Sequence, residues 1–180
     1  EKNFNIQIDL KLLFQSINKK YNLNNLKNNS VFLDKSLENF FNIKTILKIF
    51  PNAKFIHTFR NLKDSIFSIF TSMLSELSWT HSIEDIDNYI FNYCKILEFF
   101  KKQYPNKILD LNLDNLTLDT EKVSKNLFKF LDLEWDPNSL NFYLRKDLFS
   151  KTISSTQIRK KINKDNQSNY KNYYKLMNDI

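Results

Sequence analysis

Residues 32–68 have the sequence FLDKSLENFFNIKTILKIFPNAKFIHTFRNLKDSIFS, and this stretch decides the predicted fold. It begins inside a short apolar run, residues 30–34, and contains a second one, residues 54–59; both predict buried strands. Between them, apolar positions over residues 37–50 recur with helical spacing. After the second run, Asn61 is suited to the N-cap of a further helix. Strands and helices therefore alternate along this stretch.

The alternation continues outward in both directions. Residues 8–20 predict a helix, and the polar residues 22–30 predict a loop. The later elements that we expect are a long helix that begins after Ser82 and ends before Pro105, a strand over residues 107–113, a helix over residues 120–131 and a helix that starts at Asp136-Pro137. This order predicts an α/β fold with a mainly parallel sheet flanked by helices, in one domain over residues 1–180.

Composition restricts the kind of protein and of site. The chain has 180 residues, of which 42% are hydrophobic, enough for a folded domain with a buried core. No apolar run reaches the roughly 18 residues of a transmembrane helix, so we expect no membrane span. One cysteine and two histidines exclude a disulfide framework and a cysteine-based zinc site, and we expect no metal. Glycine is absent, which excludes a glycine-rich phosphate loop within these residues.

The net charge of +7 is unevenly distributed. Residues 151–180 carry seven basic and two acidic side chains, a net +5, whereas residues 1–150 carry a net +2. This basic tail favours an anionic partner, with a solvated basic helix as the alternative. The abundance of Asn, Lys, Ile and Phe indicates an A/T-rich genome, so the lysines are no argument for nucleic-acid binding. We expect a cytoplasmic bacterial protein that binds no nucleic acid.

The carboxyl ends of the predicted strands are where a parallel sheet binds its ligands. Arg60 follows one strand, and Ser68 lies about two turns into the next helix. A guanidinium, a hydroxyl and a helix N-terminus together suit a phosphate group. Lys35 follows the other predicted strand. The alternatives to ligand binding are an ion pair between Arg60 and Asp64, a surface hydroxyl at Ser68 and a solvated turn lysine at Lys35.

Several ordered elements of the chain resemble the sulfotransferase family. They are Asp34-Lys35, the motif Phe-Pro-Asn-Ala-Lys at residues 50–54, and Arg60 followed eight positions later by Ser68. The closest branch is that of tyrosylprotein sulfotransferases and bacterial tetratricopeptide-linked sulfotransferases. Later segments also match, so that the resemblance covers roughly residues 30–177: residues 82–97, 107–116, 130–136, 152–162 and 169–176.

The resemblance implies a P-loop-like sulfotransferase fold and a sulfuryl donor, 3′-phosphoadenosine 5′-phosphosulfate (PAPS), which leaves as 3′,5′-adenosine bisphosphate (PAP). Arg60 and Ser68 would bind the 3′-phosphate of this donor. Lys35 would face the bridging oxygen and the sulfuryl group, and Ser154 would contact the leaving phosphate. The acceptor would be a hydroxyl or amine of a carbohydrate, a protein tyrosine or a small molecule.

The chain also departs from the family pattern. The family's Gly- and Ser/Thr-containing 5′-phosphosulfate loop cannot lie in these glycine-free residues. We therefore expect the C-terminal two-thirds of a longer domain, a fold incomplete at its N-terminus, and no activity from the 180 residues alone. Leu37, Leu113 and Tyr170 stand where the family has proline, tyrosine and tryptophan. The competing hypothesis is a non-catalytic, degenerate sulfotransferase-fold module that binds anions or another protein.

Four further residues attract attention but favour structural roles. His57 lies within a predicted strand, where a packed or hydrogen-bonded histidine is usual. His81 precedes a helix cap, where a surface role is expected and a substrate contact is the alternative. Trp79 and Trp135 are expected to be packing anchors.

In the basic tail, Gln157 and Arg159 match family positions without an assigned role, in a segment that would close over the donor.

Overall fold

The computed structural model describes residues 9–21, 31–72, 74–145, 159–163 and 171. The chain forms two compact units, Glu1–Ala53 and Lys54–Ile180, and each is considered by itself. The helices and strands are α1 (Leu10–Tyr21), α2 (Ile43–Ile49), β1 (Phe55–Phe59), α3 (Leu62–Thr71), α4 (Ile83–Gln103), β2 (Ile108–Asn112), α5 (Leu113–Leu118) and α6 (Thr120–Phe130). Short 3-10 helices cover Leu37–Phe41, Ser78–His81 and Pro137–Leu144. The single domain over residues 1–180 stays a prediction.

The second unit is built on a parallel pair of strands. β1 and β2 pair from Phe55 opposite Ile108 to Phe59 opposite Asn112. The connection between them passes through α3 and α4, as a parallel pairing requires. The predicted α/β fold with a parallel sheet is thereby confirmed.

The first unit departs from the prediction at residues 30–34. The strand predicted there is wrong, because residues 31–36 form neither helix nor strand and are exposed, with Leu33 at 78%. Ser30 and the predicted loop over residues 22–30 lie outside the described residues. An apolar run becomes a strand only when a neighbour pairs with it, and the described residues of this unit contribute no such neighbour.

The predicted helix over residues 37–50 is divided into a 3-10 turn and α2. Asn42 separates them with φ −108° and ψ 8°, and its side-chain amide donates to the Glu38 carbonyl at 3.2 Å. Such local bonding by asparagine competes with helix continuation. Ile43, the first residue of α2, is 2% exposed, and Phe14 of α1 packs its ring 5.9 Å from that of Phe50.

The predicted helix boundaries of the second unit agree well with the structure. Asn61 and Ser82 are N-caps that accept from the Asp64 and Asp85 amides at 3.2 and 3.3 Å. The third predicted strand ends at Asn112 rather than at residue 113, because Asn112 caps α5, a helix that the pattern did not predict. The element at Pro137 is a 3-10 helix.

The core of the second unit lies between α3, α4 and the turn that joins them. Ile66 and Ile86 are completely buried, and Trp79 packs against them as the predicted anchor. Thr80 is also completely buried, and its hydroxyl donates to the Leu77 carbonyl at 2.7 Å. Trp135 lies elsewhere in this unit and donates its indole N–H to Ser124 Oγ at 3.0 Å.

Lys54 ties the start of β1 to the end of α6. Its ammonium group donates to the Phe130 carbonyl and to the Asp132 carboxylate. Asp132 has φ 55°, and the amides of Asp132 and Leu133 close the helix end on the Lys129 and Phe128 carbonyls. This is the Schellman geometry, in which glycine usually takes the left-handed position.

Two polar side chains of the sheet join it to α4. His57 and Asp110 are opposite each other in the two strands, and His57 Nδ1 lies 2.7 Å from Asp110 Oδ1. Lys101 of α4 donates to Asp110 Oδ2 at 2.7 Å. Partial burial alone would raise the pKa of Asp110, but the hydrogen bonds from Lys101 and His57 outweigh it and lower that pKa. Tyr93, beside the His57 ring, has its pKa raised to about 12, chiefly by burial.

None of the helices in the described part of the chain is long and apolar enough to cross a membrane.

Ile86→Ala should destabilise the second unit by about 2–5 kcal/mol, because it removes buried methylene groups and leaves a cavity. Both tryptophans, Trp79 and Trp135, lie in this unit, so their fluorescence in a urea titration reports its unfolding directly. Phe91→Ala on the exposed face of the same helix, where Phe91 is 55% exposed, is the control. Equal losses in the two variants would contradict the assignment of the core.

Asp110 should make the unfolding free energy depend on acid pH. A carboxyl with a lowered folded pKa stabilises the fold fully above its unfolded value of about 3.9 and loses that contribution below it. The stability difference between the native chain and Asp110→Asn should therefore narrow as pH falls from about 6 to about 3. Urea midpoints across that range measure it, with Glu134→Gln, at an exposed carboxyl, as the control. A difference that stays constant would count against the ion-pair assignment.

Candidate functional site

The carboxyl ends of β1 and β2 lie side by side, because their last residues, Phe59 and Asn112, are paired. Each strand passes directly into a helix, β1 through Arg60 and Asn61 into α3, and β2 into α5. Two strand-to-helix turns are thus adjacent at one edge of the sheet, which is the position where ligands bind in parallel sheets.

Arg60 lies over the first turn of α3. Its guanidinium Nη2 donates to the main-chain oxygen of Asp64 at 3.2 Å, and the side chain is half-buried. The bond goes to the carbonyl, not to the carboxylate that the ion-pair alternative invokes. A guanidinium has five N–H donors. Among the described residues this is the one hydrogen bond that Arg60 makes through its side chain.

Ser68 lies one helical turn beyond Asp64 on the same helix. In an α-helix the amide of residue 68 donates to the carbonyl of residue 64, the same oxygen that accepts from Arg60. The guanidinium and the backbone of Ser68 therefore meet at one carbonyl. Ser68 is half-buried. That the pair binds a phosphate stays a prediction.

Lys35 belongs to the first unit and is exposed. The preceding carboxylate, Asp34, accepts from Ser36 Oγ and from Asn39 Nδ2, each at 3.0 Å. These bonds tie the Asp-Lys pair to the start of the 3-10 helix Leu37–Phe41, which fixes the local backbone of Lys35. Its role next to the sulfuryl group stays a prediction.

The C-terminal candidates are described only in part. Ser154 and Gln157 lie outside the described residues. Arg159 is exposed, and its guanidinium donates to the Arg145 carbonyl. Both arginines line an open cavity of about 420 Å³ together with Tyr143 and Leu144.

His57 has a hydrogen-bonding partner, as the sequence predicts, and His81, for which a surface role is predicted, is exposed. His57 is held by Asp110, and His81 Nε2 lies 3.2 Å from the Leu74 carbonyl. Within the described ranges no three His, Cys, Asp or Glu side chains are grouped as metal ligands would be. Cys94 is exposed, and partial burial raises the pKa of its thiol, so a reactive thiolate is disfavoured.

Sequence reasoning missed one residue at the edge of the sheet, Asp114. Its carboxylate Oδ2 accepts from the Asn61 amide at 3.2 Å and so joins the two strand-to-helix turns. The signal in the sequence is Asn112, two positions earlier, since an asparagine at the end of a strand can cap a new helix. A strand predicted through residue 113 leaves no place for a helix that begins at Leu113 and carries Asp114.

Comparison with known proteins identifies one relative and one family. An uncharacterized protein of Aquifex aeolicus (strain VF5) is 30% identical over 152 residues, which are 82% of this chain and 20% of that protein. The chain therefore spans about a fifth of the length of the curated relative that it matches.

The family model described as the sulfotransferase family matches residues 3–137. The match includes Lys35, Arg60 and Ser68, and it ends before Ser154. Together with the paired parallel strands and the strand-to-helix turn at Arg60, this match leads to one conclusion: the chain belongs to the sulfotransferase family.

Proposed function

We propose that this chain carries the 3′-phosphate-binding part of a sulfotransferase that moves a sulfuryl group from PAPS to a hydroxyl or amine acceptor. The acceptor belongs to a carbohydrate, a protein tyrosine or a small molecule. The observation that supports the proposal is that the Arg60 guanidinium and the Ser68 main-chain amide share the Asp64 carbonyl as acceptor, beside the carboxyl edge of the sheet. Family membership supports the transferase chemistry.

The side chains of the proposed donor site supply the hydrogen-bond donors that a phosphate group requires. A phosphate accepts from several donors at once, and a planar guanidinium offers two parallel N–H groups to it. Arg60 supplies the charge, and Ser68 adds a hydroxyl donor from the next turn. Asn61 caps α3 and fixes the turn between them and the strand. The 3′-phosphate distinguishes the donor from ordinary adenine nucleotides, so this site also provides selectivity.

In the transfer step, the bond between sulfur and the bridging oxygen breaks, and a bond between sulfur and the acceptor oxygen or nitrogen forms. Negative charge collects on the bridging oxygen, which leaves with the adenosine phosphate. Lys35 and Ser154 are proposed to stabilise that charge as preorganised donors. A general base takes the proton of the acceptor, and the rest of the step is positioning of the reactants.

The second candidate is a non-catalytic module with the same fold. The absence of glycine from all 180 residues favours it, because no glycine-containing 5′-phosphosulfate loop lies in them. The coding sequence upstream of residue 1 distinguishes the two candidates. A strand followed by a Gly-Ser/Thr loop there would favour the enzyme. The two candidates share the Arg60 site, and a test of that site applies to both.

Arg60→Ala should weaken binding of PAP by about ten- to a hundredfold, because a charge-assisted hydrogen bond contributes about 1.5–3 kcal/mol. Binding of adenosine 5′-monophosphate, which lacks the 3′-phosphate, should stay the same. Ser68→Ala should cause a loss at the low end of that range, about tenfold, because its one hydroxyl would donate to the charged phosphate without adding a charge of its own. Isothermal titration calorimetry with both nucleotides measures these changes.

The control for charge is Lys63→Ala. Lys63 is on the same helix, about 140° around the axis from Ser68, and its loss removes the same unit of charge. It should leave the preference for PAP over adenosine 5′-monophosphate intact. Tight PAP binding that survives Arg60→Ala would rule out the proposed phosphate site.

The 180-residue chain alone should bind PAP weakly and transfer no sulfuryl group. Its residues contain no glycine loop to orient the 5′-phosphosulfate, and orientation is a major source of rate in group transfer. A labelled-sulfate assay on this chain and on one extended upstream by its own coding sequence measures the difference. Turnover by the 180 residues alone would refute the need for a further loop.

A further inference from the structure

Asp114 is the residue at the edge of the sheet whose bonding has no assigned role. It is the second residue of α5, and its position is fixed from two sides. Asn112 Oδ1 accepts from the Asp114 and Asn115 amides at 2.8 and 3.1 Å, and the Thr117 hydroxyl donates to the Asp114 carbonyl at 2.7 Å. These three hydrogen bonds fix the backbone at Asp114 without any contribution from its side chain.

The Asp114 side chain reaches across to the neighbouring turn. Its Oδ2 accepts from the Asn61 amide at 3.2 Å. Asn61 is in turn bonded to α3, since its Oδ1 accepts from the Asp64 amide and its carbonyl accepts from the Ser65 amide and hydroxyl. The two cap residues, one after each strand, are thus linked through one carboxylate.

We infer that Asp114 is a positioning residue for the turn that carries Arg60, and through it for the 3′-phosphate site. Arg60 immediately precedes the amide that Asp114 holds, and its guanidinium spans the same first turn of α3. If the amide is released, the peptide plane between Arg60 and Asn61 is free to rotate, and the guanidinium no longer has a fixed origin. That this turn serves a 3′-phosphate site rests on the proposed function above. That Asp114 fixes the turn does not depend on it.

The negative charge of Asp114 favours a positioning role over direct contact with the phosphate. A carboxylate near a phosphate site repels the ligand, so a residue present only for binding would be neutral or basic there. Asparagine at this position would keep an acceptor oxygen and lose the charge. Asp114→Asn therefore separates positioning from electrostatics, whereas Asp114→Ala removes both.

The experiment compares the full 180-residue chain with Asp114→Ala, Asp114→Asn and Asp119→Ala. Asp119 is the matched control because it is an aspartate that caps the neighbouring helix α6, accepting from the Lys122 amide at 3.0 Å without contacting Asn61. Amide hydrogen exchange followed by NMR measures the protection of Asn61. The calorimetric preference for PAP over adenosine 5′-monophosphate measures the site.

We expect Asn61 exchange to be at least about tenfold faster in Asp114→Ala, since the acceptor is a charged group, and to lie between the native and Asp114→Ala rates in Asp114→Asn, which keeps a neutral acceptor. Asp119→Ala should not change it. The preference for PAP should fall about tenfold in Asp114→Ala and be restored in Asp114→Asn.

Equal Asn61 exchange in Asp114→Ala and Asp119→Ala would overturn the inference, whatever the nucleotides do. A native chain with no preference for PAP would instead refute the proposed function, and the exchange data would still decide whether Asp114 fixes the turn. Faster exchange in Asp114→Ala with an unchanged preference for PAP would also overturn the positioning role.

Discussion

The second unit depends on one constraint, the parallel register of β1 and β2. Because Phe59 is paired with Asn112, both strands end at the same level and both chains must turn there. A parallel pair cannot be joined by a tight turn, so the intervening residues form helices that cover the sheet. Arg60, Asn61 and Asp114 come together only through this register. A shift of one residue would move His57 away from Asp110 and separate the two capped turns.

The chain makes its turns without glycine. Its helices in this unit begin with side-chain caps from asparagine, aspartate and serine, namely Asn61, Ser82, Asn112 and Asp119. At the end of α6, Asp132 takes the left-handed conformation that glycine adopts without steric cost. The ammonium group of Lys54 offsets this by bonding the Asp132 carboxylate and the Phe130 carbonyl. The lysine of the Phe-Pro-Asn-Ala-Lys motif therefore has a structural task at the opposite end of β1 from Arg60.

The elements that were predictable from the sequence are those with strong local signals. Asn61, Ser82 and Pro105 mark helix ends by side-chain chemistry, and the structure keeps those boundaries. The apolar run at residues 30–34 carries an equally strong signal and fails, because strand formation depends on a partner that no local pattern reveals. At the candidate site, the spacing predicts Arg60 just before α3 and Ser68 within it, as the structure has them, and their binding of a phosphate stays a prediction. Asp114 was not predictable, because its bond to Asn61 joins residues 53 positions apart.

The energetics of the candidate site limit how much of the donor it can bind alone. Arg60 and Ser68 would each give the phosphate a charge-assisted hydrogen bond of about 1.5–3 kcal/mol, and two such bonds correspond to a Kd no tighter than about 0.04 mM. The Asp114 carboxylate, which holds the adjacent amide, subtracts from the attraction for a phosphate. Donor affinity in the low micromolar range therefore needs contacts beyond this pair. The proposed sources of such contacts are Lys35 and the basic tail, residues 151–180, which carries a net +5. In this proposal Arg60 and Ser68 select the 3′-phosphate, and most of the binding free energy comes from other segments.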